Sequence, residues 1–229
     1  DSATSLGLVR CLKNHKIVLL HSKKFSTSKY SKYVGKKILY EYLDANLLEF
    51  LIKDKSLHNS YILPSEDENS DFILSNQSEL DKFYIIPKSN YGNKILSKSF
   101  QKKIALKSKL NIPKEIDINS IKSENFPLIL KPLDSLNYGK EHFKIYNNIE
   151  DFIKDKNNIN NNINYFAEEY IPGTARSMYE IIGYSDIEKD NFGFFGIRKI
   201  RQSPPDIGSS SFIESFNFSD DIKEKLKSF

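Results

Sequence analysis

The sequence predicts a mixed α/β protein in two parts, a doubly wound parallel α/β layer over residues 1–92 and an α+β part over residues 93–229. Two observations point there. In the first part short apolar runs alternate with amphipathic helical stretches, the pattern that βαβ units impose on a chain. In the second, apolar runs rich in Phe, Ile and Tyr are separated by Pro, Gly and Asn, which suits antiparallel strands.

Residues 2–13, SATSLGLVRCLK, read as a helix with Leu6, Val9 and Leu12 on one face and Asp1 or Ser2 near its N-cap. Such an opening helix ordinarily follows a strand and a glycine turn, so a first strand is expected to be missing. Ile17 to Leu20 is a short buried strand, and residues 25–34, FSTSKYSKYV, form a polar loop. Asp44 to Lys53 is an amphipathic helix with Leu47, Leu48, Leu51 and Ile52 inward, and Tyr61 to Leu63 is a buried strand ended by Pro64. The acids of residues 65–72, SEDENSDF, lack the glycine and spacing of a calcium loop and suit a helix N-terminus, where the dipole favours anions. Phe83 to Ile86 is the next strand, and Tyr91-Gly92 marks the boundary. Ile95 to Leu110 is a helix with Ile95, Leu96, Phe100, Ile104 and Leu110 inward, stopped at Ile112-Pro113. Further on, His142 to Tyr146 is a strand and Asn148 caps a helix through Lys154 with Glu150 and Asp151 in its first turn. The Asn-rich residues 157–164 form a surface loop, and strands starting at Asn164, Arg176 and Gly193 form an antiparallel set.

Composition narrows the function classes. Hydrophobic residues make up 39% and charged residues 28%, a globular and not a disordered composition. The 34 basic and 30 acidic residues leave +4, and the lysines are scattered among acids, which gives a solvated surface and not a nucleic-acid face. The single cysteine, Cys11, cannot form an internal disulfide and suits a reducing cytoplasm. No run of about 18 apolar residues and no charged-then-apolar leader is present, so a cytoplasmic protein without membrane partner is expected. The four histidines, His15, His21, His58 and His142, show no spacing for zinc, and no G-x-S-x-G elbow occurs.

The chemistry centres on residues 126–139, FPLILKPLDSLNYG, where an apolar run ends in Lys131 and opens into a polar loop closed by Gly139. A strand that fixes an ammonium group beside a loop of backbone N–H groups is what polyphosphate binding requires. A lysine ending an ordinary strand before a hairpin glycine would look the same. Downstream, residues 166–173, FAEEYIPG, place two carboxylates, an aromatic and an aliphatic residue before a Pro-Gly turn. Upstream, Lys98 opens the stretch KSFQKKIALKSKLNIP.

These three segments, in this order, resemble the ATP-grasp superfamily of ligases, and residues 93–229 are similar to the first part of its ATP-grasp domain. The combination of SLGLVR, FSTSKYSKYV and LPSED over residues 1–92 resembles, more loosely, the pre-ATP-grasp (Rossmann-like) domain of its carboxylate–amine ligases, the D-aspartate ligase-like group. The resemblance implies ATP as cofactor, with Lys98 and Lys131 on its phosphates. Glu168, Glu169, Tyr170 and Ile171 would form the adenine hinge, backbone groups meeting the ring edge and Ile171 its face. Ser135, Tyr138, Gly139 and Lys140 would form the phosphate lid, with one glycine where relatives often have more.

Thr174-Ala175-Arg176 follows the hinge where many relatives carry acids that reach the ribose; Glu180 is a possible substitute and equally an exposed strand carboxylate. Residues 198–208, RKIRQSPPDIG, resemble the K-x-R-Q-x-P-P-x-x-G segment of the same ligases. Lys199 and Arg201, two residues apart on a strand, are expected on one side of it, either meeting an acyl phosphate or substrate carboxylate or guarding a sheet edge. Magnesium is expected for the family, but its ligands are not found. Glu214 and Asn217 miss the Glu-x-Asn spacing by one residue, and Asp220 and Asp221 suit a helix N-terminus. The resemblance thus implies an ATP-dependent ligase fragment, short at both ends, that activates a small-molecule carboxylate as an acyl phosphate for attack by an amine or thiol. The alternative is a non-catalytic nucleotide-binding or interaction module.

Overall fold

The computed structural model describes residues 3–22, 26–133, 138–156, 159, 162–186, 191–203, 205 and 208–229. Contacts divide the chain into two units, Asp1–Gln101 and Lys102–Phe229, so the division falls within one helix. Among the described residues the fold is mixed α/β, with seven α-helices and three sheets. None of these helices is long and apolar enough to cross a membrane.

In the first unit, α1 (Ala3–Cys11) leads into β1 (Ile17–Ser22), which pairs in parallel with β2 (Val34–Tyr40). The sequence gives no strand alternation at Gly35-Lys36-Lys37; pairing with β1 makes β2 a strand. The parallel layer stops short of the expected sheet. Residues 61–63 and 83–86 meet only at a single parallel bridge, Tyr61 with Ile85, bounded by hydrogen bonds from Ile62 N–H to the Ile85 carbonyl (2.9 Å) and from Ile85 N–H to the Ser60 carbonyl (3.0 Å). Tyr61 and Leu63 remain 71% and 48% exposed, so the expected buried strand there is corrected, and Pro64 removes the next backbone donor. The helices follow the sequence closely. Asp44 caps α2 (Ala45–Lys53) through the N–H groups of Asn46 and Leu47, and α3 (Asp67–Ser75) carries Asp67 and Glu68 in its first turn. The short α4 (Gln77–Leu80) follows, and Leu47, Leu51, Phe72, Ile73 and Leu80 make the unit's core, into which Tyr84 donates its hydroxyl to the Leu51 carbonyl at 2.6 Å.

The helix expected over residues 95–110 is shorter. A 3-10 turn at Gly92–Leu96 breaks at the extended Ser97, and α5 runs from Lys98 to Lys107. Lys109, in the left-handed region at φ 56°, ends it, with Leu110 N–H donating to the Ala105 carbonyl at 2.9 Å.

The second unit holds a four-stranded sheet in the order β3 (Glu115–Ile116), β6 (Tyr165–Glu169), β4 (Leu128–Pro132), β5 (Lys144–Tyr146), all neighbours antiparallel. The strand from Asn164 was expected to join those at Arg176 and Gly193; it lies between β3 and β4 instead. Leu128, Leu130 and Ala167 are 0%, 0% and 1% exposed, packed with Tyr146 and with Phe152 from α6 (Ile149–Asp155). Asn148 caps α6 as expected, accepting from Asp151 N–H at 2.8 Å. A separate antiparallel sheet comprises β7 (Tyr179–Asp186), β8 (Asn191–Ser203) and β9 (Ser209–Phe216), followed by α7 (Asp220–Lys227). Ser219 stands at the N-cap of α7, and Asp220 and Asp221 lie in its first turn, paired with Lys223 and Lys225.

Candidate functional site

The site begins with the alternation of β4. Leu128 and Leu130 point into the core, so Ile129 and Lys131 point to the opposite face. Register then decides the company: Ile129 stands opposite Glu168 and Lys131 opposite Phe166, placing Phe166 and Glu168 of β6 on that same second face. Lys131 donates from its ammonium to Oε1 of Glu168. From α5, Lys102 places its Nζ 2.9 Å from Glu168 Oε2 and 4.5 Å from the Phe166 ring centre. Glu168 is 3% exposed while the side chains of Lys102 and Lys131 keep 21% and 25%, so a buried carboxylate is held between the ammonium groups of two partly exposed lysines. Glu115, 70% exposed and 3.6 Å from Lys102, adds only a solvent-screened partner.

Burial raises the affinity of the Glu168 carboxyl for its proton, but hydrogen bonds and charge from Lys131 and Lys102 overrule it and hold the group below the usual glutamate range. It is therefore ionised at neutral pH. Lys102 and Lys131 thus share one buried anion, and the other carboxylate beside Lys102, that of Glu115, is exposed.

The segment after β6 is tied back into the sheet. Glu169 N–H donates to the Lys114 carbonyl at 2.8 Å, Tyr170 N–H to the Pro127 carbonyl at 3.0 Å, and Lys114 N–H to Glu169 Oε2 at 3.2 Å. Two amides of the expected hinge thus serve the fold, while Ile171 is 60% exposed and presents an apolar face. In the expected lid, Gly139 N–H donates to Glu141 Oε1 at 3.2 Å, and a Cβ there would collide with that carboxylate. Tyr138 lies edge-on to His142 at 5.4 Å. Ser135 and the side chain of Lys140 lie outside the described residues. Lys98 is the first residue of α5, at the end of the first unit.

Glu180, Lys199 and Arg201 belong to the three-stranded sheet. Glu180 is exposed on β7, opposite Ile197. Lys199 Nζ donates to Gln202 Oε1 at 3.2 Å and to the Gly208 carbonyl at 3.3 Å, and the Arg201 guanidinium lies 5.4 Å from the Phe212 ring centre. The two cations do not share a side as expected. Lys199 pairs with Ile213 and Arg201 with Phe212, so two steps on β8 match one on β9, and successive β9 residues face opposite ways. The bulge at Ile200 turns them apart. Arg198, on the same strand, pairs with Glu214.

Sequence reasoning missed Lys102 and Phe166 as partners of Lys131. Lys102 is one of several lysines between residues 98 and 109, and nothing local distinguishes it. A register of β4 on β6 would have put Phe166 and Glu168 beside Lys131.

The donor set, two ammonium groups, suits an anion such as a phosphate. Among the described residues no three His, Cys, Asp or Glu side chains gather closely enough to hold a metal ion. In the first unit a cavity of about 720 Å³ is bordered by Ile17–Leu20 of β1 and by residues 60–65, with Leu8, Val9 and Leu47 among its apolar walls. It is remote in character from the Lys131 group, because its lining carries mainly aliphatic and hydroxyl groups. No family model matches the chain, and no curated protein matches it.

Proposed function

We propose that the second unit binds an adenine nucleotide, its phosphates at Lys131 and its ring against Ile171, in the manner of ATP-grasp carboxylate–amine ligases. The observation that carries this is the buried Glu168 carboxylate shared by Lys131 and Lys102. A buried ion pair adds little over apolar packing, and an ammonium near a strand end that can turn from it suits a phosphate. In the ligase reaction a substrate carboxylate attacks the γ-phosphoryl group, ADP departs, and the acyl phosphate is then opened by an amine or thiol with release of phosphate. Such transfer needs positioning and charge neutralisation more than covalent help. Lys131 would supply part of that neutralisation. On this reading Arg201 or Lys199 meets the acyl group.

A second reading, an interaction module without nucleotide, is favoured by one feature: Ile182, Tyr184, Phe195 and Ile213, on one face of the three-stranded sheet, are 53%, 62%, 55% and 45% exposed.

Calorimetric titration of the full chain with ATP and ADP decides between them. Binding is expected, and Lys131→Ala should weaken it by about 1.5–3 kcal/mol, the value of a charge-assisted contact, whereas the exposed Lys156→Ala should change it by less than about 0.5 kcal/mol. No binding at millimolar nucleotide, together with concentration-dependent self-association, would favour the interaction module.

A further inference from the structure

We propose that Lys102 is a positioning residue for Lys131: it holds Glu168 ionised and neutralised so that the Lys131 ammonium is free to turn to an incoming polyphosphate. The inference rests on the nucleotide reading above and adds a division of labour between the two lysines. Glu168 offers two oxygens, and each ammonium takes a different one, Lys102 at Oε2 (2.9 Å) and Lys131 at Oε1. The two lysines are not equivalent. Lys102 projects from α5 against the Phe166 ring, its charge 4.5 Å from the ring centre, whereas Lys131 sits next to the end of β4, which finishes at Pro132.

Charge counting explains why both are needed. If Lys131 were the sole partner of Glu168, its departure towards phosphate would strand a carboxylate that is 3% exposed, beside an arriving anion. With Lys102 in place, Glu168 keeps one cation and the phosphate gains the other. Before binding, two ammonium groups share one anion; afterwards, each has its own. Glu115 reaches Lys102 only at 3.6 Å from an exposed position, where solvent screens it, so Glu168 remains the closer partner of Lys102.

The test is a double-mutant cycle on ADP affinity, with folding checked by thermal melting. Lys102→Met should weaken ADP binding roughly tenfold or more although Lys131 is intact, because Lys131 is then confined to Glu168. Adding Glu168→Gln should restore affinity to within about threefold, since a neutral amide does not need the ammonium. Lys102→Arg should keep both fold and affinity. A merely structural role predicts no rescue: the second substitution would add damage or leave affinity unmoved, and that result overturns the proposal. So does ADP binding by Lys102→Met within about twofold of the unaltered chain.

A second readout does not need nucleotide. Competitive acetylation of the full chain should label Lys131 more slowly in Lys102→Met, where its ammonium is held to the buried carboxylate, and recover in the Lys102→Met/Glu168→Gln pair. If the unaltered chain binds no ADP while this labelling pattern holds, the nucleotide reading fails and the coupling of the two lysines stands. Unchanged Lys131 labelling in Lys102→Met shows that Lys102 does not govern Lys131, and overturns the proposal.

Discussion

The two antiparallel sheets of the second unit use similar residues to opposite ends. In the four-stranded sheet three of the five β4 residues, Leu128, Leu130 and Pro132, are under 2% exposed, and α6 covers the inner face with Phe152. In the three-stranded sheet every residue of β9 is exposed, and Ile182, Tyr184 and Phe195 keep more than half of their surface open. Apolar content alone therefore does not make a core; a covering element does. The contrast extends to charge. Glu168 lies on a strand face that α5 approaches, and its carboxylate is buried and doubly paired, whereas Glu214 on β9 pairs with Arg198 at a half-open surface. In the first arrangement the two lysines overrule the effect of burial and hold the carboxyl below the usual glutamate range.

The largest expected effect tests the packing half of this comparison. Leu130→Ala should destabilise the chain by about 2–5 kcal/mol, because a cavity opens where the side chain was wholly enclosed, while Ile182→Ala should stay within about 1 kcal/mol. Chemical denaturation of the two variants measures the difference, and similar losses would mean that the three-stranded sheet is covered in solution. Next in size is the polar anchor of the same core. Tyr146 donates its hydroxyl to Asp155 Oδ2 at 2.7 Å, and Lys144 reaches the same oxygen at 2.8 Å. Burial and the neighbouring Asp155 push the Tyr146 hydroxyl well above its ordinary range. Tyr146→Phe should cost about 1 kcal/mol at neutral pH, and the wild-type advantage should shrink only above about pH 10, where an unfolded tyrosine ionises and the folded one does not.

The charge half of the comparison is sharpened with pH. The folded Glu168 carboxyl is held below the glutamate value of about 4.3, so its stabilising contribution is complete above that pH and is lost as pH falls through the lower folded value. Melting curves of Glu168→Gln should therefore lack this component of the acid limb: the gap from the unaltered chain should be constant from about pH 5 to 7 and close below about pH 4. A gap that persists undiminished in acid would mean that the carboxylate's charge is not what stabilises it. A last effect, comparable to that of the Tyr146 hydroxyl, is expected at a cap. Asn148→Ala removes the acceptor for Asp151 N–H and should cost about 1 kcal/mol, read by denaturation, with nucleotide affinity unchanged.

What could be read along the chain, and what could not, follows the range of the forces. The cap at Asn148 and the acids opening α3 and α7 are set within one or two turns of chain, so residue order determines them. The paired carboxylates at 168 and 169 were likewise visible as the end of a strand. The pairing of β6 with β4 was decided by tertiary structure, and with it the meeting of Lys131 and Glu168 across 37 residues. So was the arrival of Lys102, one lysine among many until α5 is laid against Phe166. So was the bulge that sends Lys199 and Arg201 to opposite sides of β8, since a register shift depends on the partner strand and leaves no mark on the periodicity of its own. Local hydrogen bonds and side-chain periodicity act over a few residues and are written in their order; ion pairing and strand register join residues far apart, and only the packed chain selects which of many equivalent partners meet.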